Sequence, residues 1–391
     1  MIERPEPFTV AIDPPIIDRI RRRVAEHRLE AFPALHGWQL GTPIEHVQRL
    51  REFWLKSFDW SRSQEELNRL PQFRCRVAGD NLYYVHLRSR TEKPRGALVL
   101  IHGWPGSFFE FYGLIDELMS DPAWSYDIVV PSLPGFAFST PLSRPLGCRA
   151  MADRIHTLMT EILGYPTYVA QGGDWGSVIA SWLGFDHSQS CRAIYLSTDG
   201  LRPHGATPYE ADRSGDWTTE ELAHFAMEST DLQDELGYYR IQATRPQTLG
   251  IALHDSPLGA AAWIIEKYQR WSNCSDSDDI GERLGWQHLL TIAMLYLIDD
   301  AFVTSTWIYA GHELDDPPTL PPGARVEVPT AFAAYRDPVD PAPPRSLVER
   351  SHNLISWTEM PKGGHFAALE EPKLFAADLR RFLGLIDETT L

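Results

Sequence analysis

Cysteine is scarce in this chain. The four thiols, Cys75, Cys148, Cys191 and Cys274, stand far apart with no C-x-x-C spacing, which argues against a compact zinc cluster or a redox pair and leaves them as buried or incidental groups. Long apolar runs are missing too. No stretch of 18 or more apolar residues occurs, and the start, MIERPEPFTVAIDPPIIDRI, has no basic region followed by an apolar one. Neither a membrane span nor a secretory signal is therefore expected, and a cytoplasmic location is the default. Positive charge is in deficit, 36 Lys and Arg against 53 Asp and Glu, for a net charge of −17. That sign opposes attraction to nucleic acid or to an anionic membrane and points to small substrates that are not polyanionic. No internal repeat is visible.

What remains is an ordinary globular composition, 43% hydrophobic and 23% charged, in a chain of 391 residues. That is long enough for one large core with an insertion, or for two domains. Residues 1–90 read as an extension. Ile16, Ile17, Ile20 and Val24 fall at helical spacing, TPIEHVQRLREFWLKSFDW is a second amphipathic helix, and FRCRVAGDNLYYVHLRS is a strand pair turning at Gly79-Asp80. From 91 to 200 the period changes. GALVLI, YDIVVP, YPTYVAQGG and CRAIYLS are strand-like, and the helix in RAMADRIHTLMTEILG shows Met151, Ile155, Leu158, Met159 and Ile162 on one face. The interval 201–318 is rich in Trp, Tyr and Ala, contains the helical SPLGAAAWIIEKYQRW and the polar loop SNCSDSDDIGERLG, and reads as a mainly helical lid. Residues 319–391 return to the alternation with RVEVPTAFAAY, HNLISWTEM and the closing helix EEPKLFAADLRRFLGLI. The expected class is α/β, with a mostly parallel central sheet covered on both faces, as in the α/β-hydrolase fold.

The chemistry centres on QGGDWGS, residues 171–177. Small residues on both sides permit a tight strand-to-helix turn that pushes one side chain out over the sheet, as in the G-x-S-x-G nucleophile elbow, but the exposed residue here is an acid, Asp174. A carboxylate there can attack a carbon electrophile and form an ester that water then hydrolyses. The plain structural alternative is an Asp capping the following helix. His102-Gly103-Trp104-Pro105-Gly106 follows a buried strand where an oxyanion loop would lie, so the backbone N–H groups of Trp104 and Trp175 are candidate oxyanion donors; a simple tight turn is the alternative. His365, in MPKGGHFAALEEP, lies between the last strand and the last helix, where a water-activating base belongs in the order nucleophile, acid, histidine.

With HGWPGSFFEF, PSLPGFAFS, QGGDWGS, YYRIQATRPQTLGIALHDSPLGAAAWIIEKYQRW and KGGHFAALEEP in place, the chain resembles the epoxide hydrolases of the α/β-hydrolase superfamily. It is similar specifically to the microsomal-type branch with an N-terminal extension, over about residues 38–383. The resemblance implies Asp174 as nucleophile and His365 as base. It also implies two lid tyrosines, Tyr238 and Tyr309, that hold and protonate the epoxide oxygen. Tyr239 adjoins Tyr238, and aromatic packing is the alternative for Tyr309, because FVTSTWIY lacks the basic residue and proline usual there. The acid orienting His365 is implied just past EVPTAFAAY, where this chain has Pro338; Asp337 is preferred, with Asp340 the rival and Glu349 third.

The implied product is a vicinal diol from an apolar or aryl epoxide and water, in detoxification or a biosynthetic route, with no metal or organic cofactor required. No nucleic-acid or membrane partner is expected, and a homodimer is the default assembly. Two other readings use the same residues. A haloalkane dehalogenase shares the Asp nucleophile but has no use for proton-donating tyrosines. A non-catalytic small-molecule binding protein would be favoured if the acid position at Pro338 were truly empty.

Overall fold

In the computed structural model residues 3–33, 37–206, 215–230, 235–275, 279–317 and 319–388 are described. Nine strands form one sheet: β1 (Glu3–Phe8), β2 (Gln72–Val77), β3 (Asp80–Leu87), β4 (Gly96–Ile101), β5 (Tyr126–Pro131), β6 (Tyr168–Gly172), β7 (Cys191–Leu196), β8 (Val326–Ala334) and β9 (His352–Glu359). Their order is β1-β2-β3-β5-β4-β6-β7-β8-β9. The pairings from β5 to β9 are parallel, and β1, β2 and β3 join antiparallel at one edge. Strands β4 to β6 read as continuous apolar runs because both their faces are covered, and ALVLI of β4 is wholly buried.

The sheet departs from the sequence expectation at its edge. The strand pair of the extension continues the central sheet, and a further strand, β1, for which the sequence gives no expectation, lies outside it. ERPEPF carries two prolines and no apolar alternation, which an edge strand tolerates and a strand pattern hides.

Helices α1 (Pro14–Glu26), α2 (Ile44–Lys56) and α3 (Trp60–Leu67) complete the extension. Helices α4 (Tyr112–Ser120), α5 (Cys148–Thr157) and α6 (Trp175–Asp186) flank the sheet. The lid between β7 and β8 is helical as expected, with α7 (Thr219–Thr230), α8 (Gly237–Thr244), α9 (Pro246–His254), α10 (Pro257–Trp271), α11 (Ile280–Leu284), α12 (Trp286–Leu297) and α13 (Ala301–Asp315). Residues 276–278 of the polar loop lie outside the described residues. Helices α14 (Arg345–Ser351), α15 (Ala367–Glu370) and α16 (Pro372–Glu388) close the core. No single helix among the described residues is long and apolar enough to cross a membrane.

The carboxyl ends of β4, β6, β8 and β9 open towards the lid, the crevice where ligands bind in parallel sheets. Helix α6 sits so close to the sheet that only glycine fits at one contact: a Cβ on Gly176 would lie 2.1 Å from the carbonyl oxygen of Ile101. Gly176→Ala is therefore expected to destabilise the fold by about 3 kcal/mol, as overpacking against an immobile backbone does. Urea unfolding monitored by circular dichroism reads this directly, and an unchanged midpoint would show that α6 can move away.

Candidate active site

Asp174 ends the β6 turn with φ +52°, a left-handed conformation that costs a non-glycine residue about 1–2 kcal/mol. The turn holds because its neighbours leave no other room: a Cβ on Gly172 would lie 1.9 Å from the Gly176 carbonyl oxygen, and one on Gly103 would meet the Asp174 carboxylate itself. The Asp174 side chain makes no cap hydrogen bond to α6, so the capping alternative is set aside. Its backbone N–H instead donates to Thr198 Oγ1 at 2.7 Å, and its carboxylate points over the sheet.

The two carboxylate oxygens have different surroundings. Oδ1 accepts the N–H of Trp104 at 2.8 Å, and Oδ2 faces Nε2 of His365 at 3.2 Å. The Trp175 amide opens α6, where an N–H has no acceptor within the helix. His102 fixes the other donor loop. Buried and held neutral by a pKa lowered to about 4, chiefly through burial, it donates from Nδ1 to the Gly103 carbonyl and accepts the Leu133 N–H at Nε2, both at 3.0 Å. From the lid, the hydroxyls of Tyr268 and Tyr296 donate to the carbonyls of Pro105 (3.4 Å) and Gly106 (2.5 Å).

His365 Nδ1 lies 2.6 Å from Asp337 Oδ2. The other Asp337 oxygen accepts the amides of Val339 and Asp340, both at 2.9 Å, so the carboxylate is locked by the turn it begins. Pro338 makes that turn possible: lacking an N–H and fixed in φ, it directs the next two amides back onto Asp337. Asp340 makes no hydrogen bond to His365. Its pKa is pushed up to about 7 by burial and then by the Asp337 charge. Glu349 pairs with Arg345 at 2.7 Å on the surface. The position read as questionable at Pro338 is thus filled by the preceding residue.

Burial alone would lower the pKa of His365, but Asp337 and Asp174 outweigh it and hold the imidazole well above its usual range. The pairing of the ring between the two acids thus favours its protonated form. Above it, Tyr238 stacks on Trp104 at 5.3 Å and 13°. Tyr309 meets Trp175 edge-on at 4.9 Å and Tyr238 at 5.8 Å. Tyr239 turns away and donates to Glu313 at 2.7 Å, so Tyr238 is the one of the pair that faces the nucleophile. The Tyr309 hydroxyl is buried with no aligned hydrogen-bond partner among the described residues. Burial first, then Asp174 for Tyr238 and Tyr238 for Tyr309, raise both phenols far above their ordinary range, so both keep their protons at neutral pH.

One contributor escaped the sequence reading. Glu110, whose carboxylate accepts the Ser107 amide at 3.3 Å in a capping box, lines a cavity of about 20 Å³ with Asp174, His365, Gln171 and Ser197. Burial, then the Asp174 charge, push its pKa up to about 8. The S-x-x-E pattern of SFFE is a capping signature that could have located it.

An acid on a strained strand-to-helix elbow, opposed by an amide donor and a histidine–aspartate pair, is the arrangement of an α/β-hydrolase active site with an acid where the elbow usually carries a serine. The comparisons agree and narrow the class. A family model described as "Epoxide hydrolase N terminus" matches residues 5–111, and one described as "alpha/beta hydrolase fold" matches residues 96–221. Epoxide hydrolase 1 of Sus scrofa is 31% identical over 98% of this chain and 89% of its own length. Juvenile hormone epoxide hydrolase 2 of Ctenocephalides felis is 32% identical over 95% and 84%. The crystal structure of juvenile hormone epoxide hydrolase from the silkworm Bombyx mori superimposes with a TM-score of 0.86 at 28% identity, covering 100% of this chain and 96% of that one. The chain belongs to the epoxide hydrolase family, in the microsomal-type group with an N-terminal extension.

The two candidate acids separate experimentally. Asp337→Asn is expected to slow turnover at least about 100-fold, as loss of a histidine's orienting carboxylate does. It also removes a charge that raises the His365 pKa, so the acid limb of its pH–rate profile, where the base is protonated, moves to lower pH. Asp340→Asn should stay within a few-fold of the parent. Steady-state rates across pH 5–10 decide, and equal losses would reject the assignment.

Proposed function

We propose that this epoxide hydrolase opens an apolar or aryl epoxide in two steps, with Asp174 as nucleophile and His365 as base. The observation that carries the reading is the asymmetry of the Asp174 carboxylate, one oxygen on the Trp104 amide and the other free of backbone donors and facing His365. The aromatic walls, Trp104, Trp175, Tyr238 and Trp271, favour an apolar substituent on the epoxide.

The epoxide oxygen sits between the Tyr238 and Tyr309 hydroxyls while Oδ2 of Asp174 attacks a ring carbon from the opposite side. The C–O ring bond breaks, a tyrosine gives its proton to the departing oxygen, and a hydroxyalkyl ester forms. Ester formation deletes the negative charge of Asp174. One of the two charges that keep His365 protonated is thereby gone, and its pKa falls towards the range of a working base. The proton it releases balances the one given by the tyrosine. The electrostatics thus supply the base only once there is an ester to hydrolyse.

His365 then takes a proton from water that attacks the ester carbonyl. The cavity of about 20 Å³ beside Asp174 is large enough for one water, and protonated Glu110 and the unpaired Gln171 Oε1 offer it a donor and an acceptor. The tetrahedral oxyanion forms on Oδ1, where the Trp104 amide already points and the Trp175 amide is free to join it. Collapse breaks the acyl C–O bond; the departing alkoxide takes the proton that His365 drew from water, and the carboxyl proton left on Asp174 returns to His365, restoring the starting charges. The diol leaves with the original Asp174 oxygen, and the oxygen of water stays on the carboxylate.

That oxygen balance is the test. A single turnover of styrene oxide by excess enzyme in ¹⁸O-water is expected to give unlabelled diol and ¹⁸O on the peptide containing Asp174; label in the diol instead would mean direct attack by water. His365→Gln should hold the ester, seen as an intact-mass increase equal to the epoxide. Tyr238→Phe and Tyr309→Phe should each slow ester formation by about 10- to 100-fold, the share of a catalysed proton transfer split between two donors. A Phe variant at the parent rate would remove that tyrosine from the mechanism.

A further inference from the structure

The base His365 sits on a loop, and one buried carboxylate outside the catalytic groups grips that loop on both sides. Glu370, five residues on at the end of α15, has a side chain with no solvent exposure. Its Oε1 accepts the amide of Gly364 at 3.1 Å and the amide of Phe366 at 3.2 Å. These residues immediately precede and follow His365. The amide between them, that of His365 itself, donates to the carbonyl of Trp271 in the lid at 3.0 Å. Three successive N–H groups are thus fixed in alternation, by the core, the lid and the core again.

Oε2 of the same carboxylate faces the lid. It accepts the Asn273 amide at 2.9 Å and Arg283 Nη2 at 3.2 Å. The loop and the 271–273 segment are pressed together so closely that a Cβ on Gly364 would lie 2.5 Å from the Asn273 nitrogen and 2.7 Å from the Trp271 oxygen. The preceding Gly363 has φ +99°, a conformation that suits glycine. With its backbone pinned from both sides, His365 keeps only its own side-chain torsions, and these are set by Asp337 at 2.6 Å and by the Trp271 ring at 4.9 Å. Trp271 in turn packs on Tyr238 at 5.3 Å, so one network spaces the base from the proton donor.

We propose that Glu370 is the positioning residue of the base: it holds residues 364–366 against the lid so that His365 addresses Asp337 and the ester water together. It touches no reacting atom. Its effect therefore falls on ester hydrolysis, which demands an aligned imidazole, rather than on ester formation, which is carried by Asp174 and the tyrosines. The inference rests on the two-step reading above.

The experiment follows both half-reactions of the full chain in stopped flow with styrene oxide, using the fluorescence of Trp104 and Trp175 beside Asp174, with intact-mass detection of the ester. In Glu370→Ala, which removes all four acceptor contacts, ester hydrolysis is expected to slow at least 10-fold while ester formation changes less than threefold, so that ester accumulates at steady state. Glu370→Gln keeps an acceptor for Gly364 and Phe366 but turns an amide group towards Asn273 and Arg283, and should recover most of the hydrolysis rate. Arg283→Ala, which takes only the lid cation from the same carboxylate, should lower the melting temperature without separating the two steps. Equal slowing of both steps in Glu370→Ala, or unchanged hydrolysis in it, overturns the proposal while the parent's ester leaves the two-step reading standing. Absence of any ester on parent Asp174 overturns both. Should Glu370→Ala not fold, Glu370→Gln carries the test, expected to show a smaller separation of the two rates in the same direction and overturning the proposal if it shows none.

Discussion

Burying a histidine between two acids is the constraint from which the surrounding architecture follows. His365 and Asp337 are 7% and 5% exposed in their side chains, and burial of unpaired charge would neutralise them rather than hold them. Each charge is therefore met by a group that cannot move away. Asp337 is met by the two amides beyond Pro338, Asp174 by the Trp104 amide and the amino-terminal end of α6, and His365 by both acids. The donors are mostly backbone, which costs little side-chain entropy to order and leaves no flexible partner to dissociate. The strain at Asp174 is tolerated for the same reason: the elbow that stores it also aims the carboxylate at a fixed amide.

Fixed amides need fixed loops, and here the lid does as much of the fixing as the sheet. Tyr268 and Tyr296 hold the turn that carries Trp104, and Trp271 holds the loop that carries His365. The lid is thus a second wall of the catalytic frame and more than a cover over it. The same wall presents Tyr238 and Tyr309, so their placement over Asp174 is set by the contacts that also set the turn carrying Trp104.

Much of this was legible in the chain, and the parts that were not share a cause. Continuous apolar strands and small residues around Asp174 report local constraints, because a buried parallel strand and a tight elbow each restrict residue type along a short stretch. The role of Asp337 is different. Asp337, Asp340 and Glu349 are equally acidic in sequence, and only the turn at Pro338 decides which carboxylate reaches the imidazole. Glu370 and Glu371 are likewise adjacent acids before a helix, and nothing local marks the first as the one turned inward. The strand pair at 72–87 was legible as a hairpin, but a hairpin says nothing about its next neighbour, so its continuation into the central sheet was not. The resemblance implied Tyr238 rather than Tyr239, but the physical reason, the Tyr239 bond to Glu313 on a helix some seventy residues away, is not local in the sequence.

The extension completes the same frame from outside. Gln287 Nε2 donates to the Asp59 carbonyl at 2.8 Å, and Thr291 shares a hydroxyl contact with Ser63 at 2.7 Å, so one face of α12 is bound to α3 and the residue before it. At about 100° per residue, Tyr296 stands roughly 140° around the helix from Thr291 and points the other way, into the oxyanion turn. Helix α12 is therefore a strut with one side on the extension and the other on Gly106. Ion pairing of Arg49 with Asp279 at 2.7 Å braces α11, just before it, from the same side. Without the extension, α12 would expose the buried Thr291 and lose the contacts that fix its rotation, and the Tyr296 hydroxyl would no longer be held on the turn. This gives the extension a reason to share a sheet with the core: β1 to β3 anchor it to the same rigid body whose loops it helps to hold, so the strut has a fixed footing at both ends.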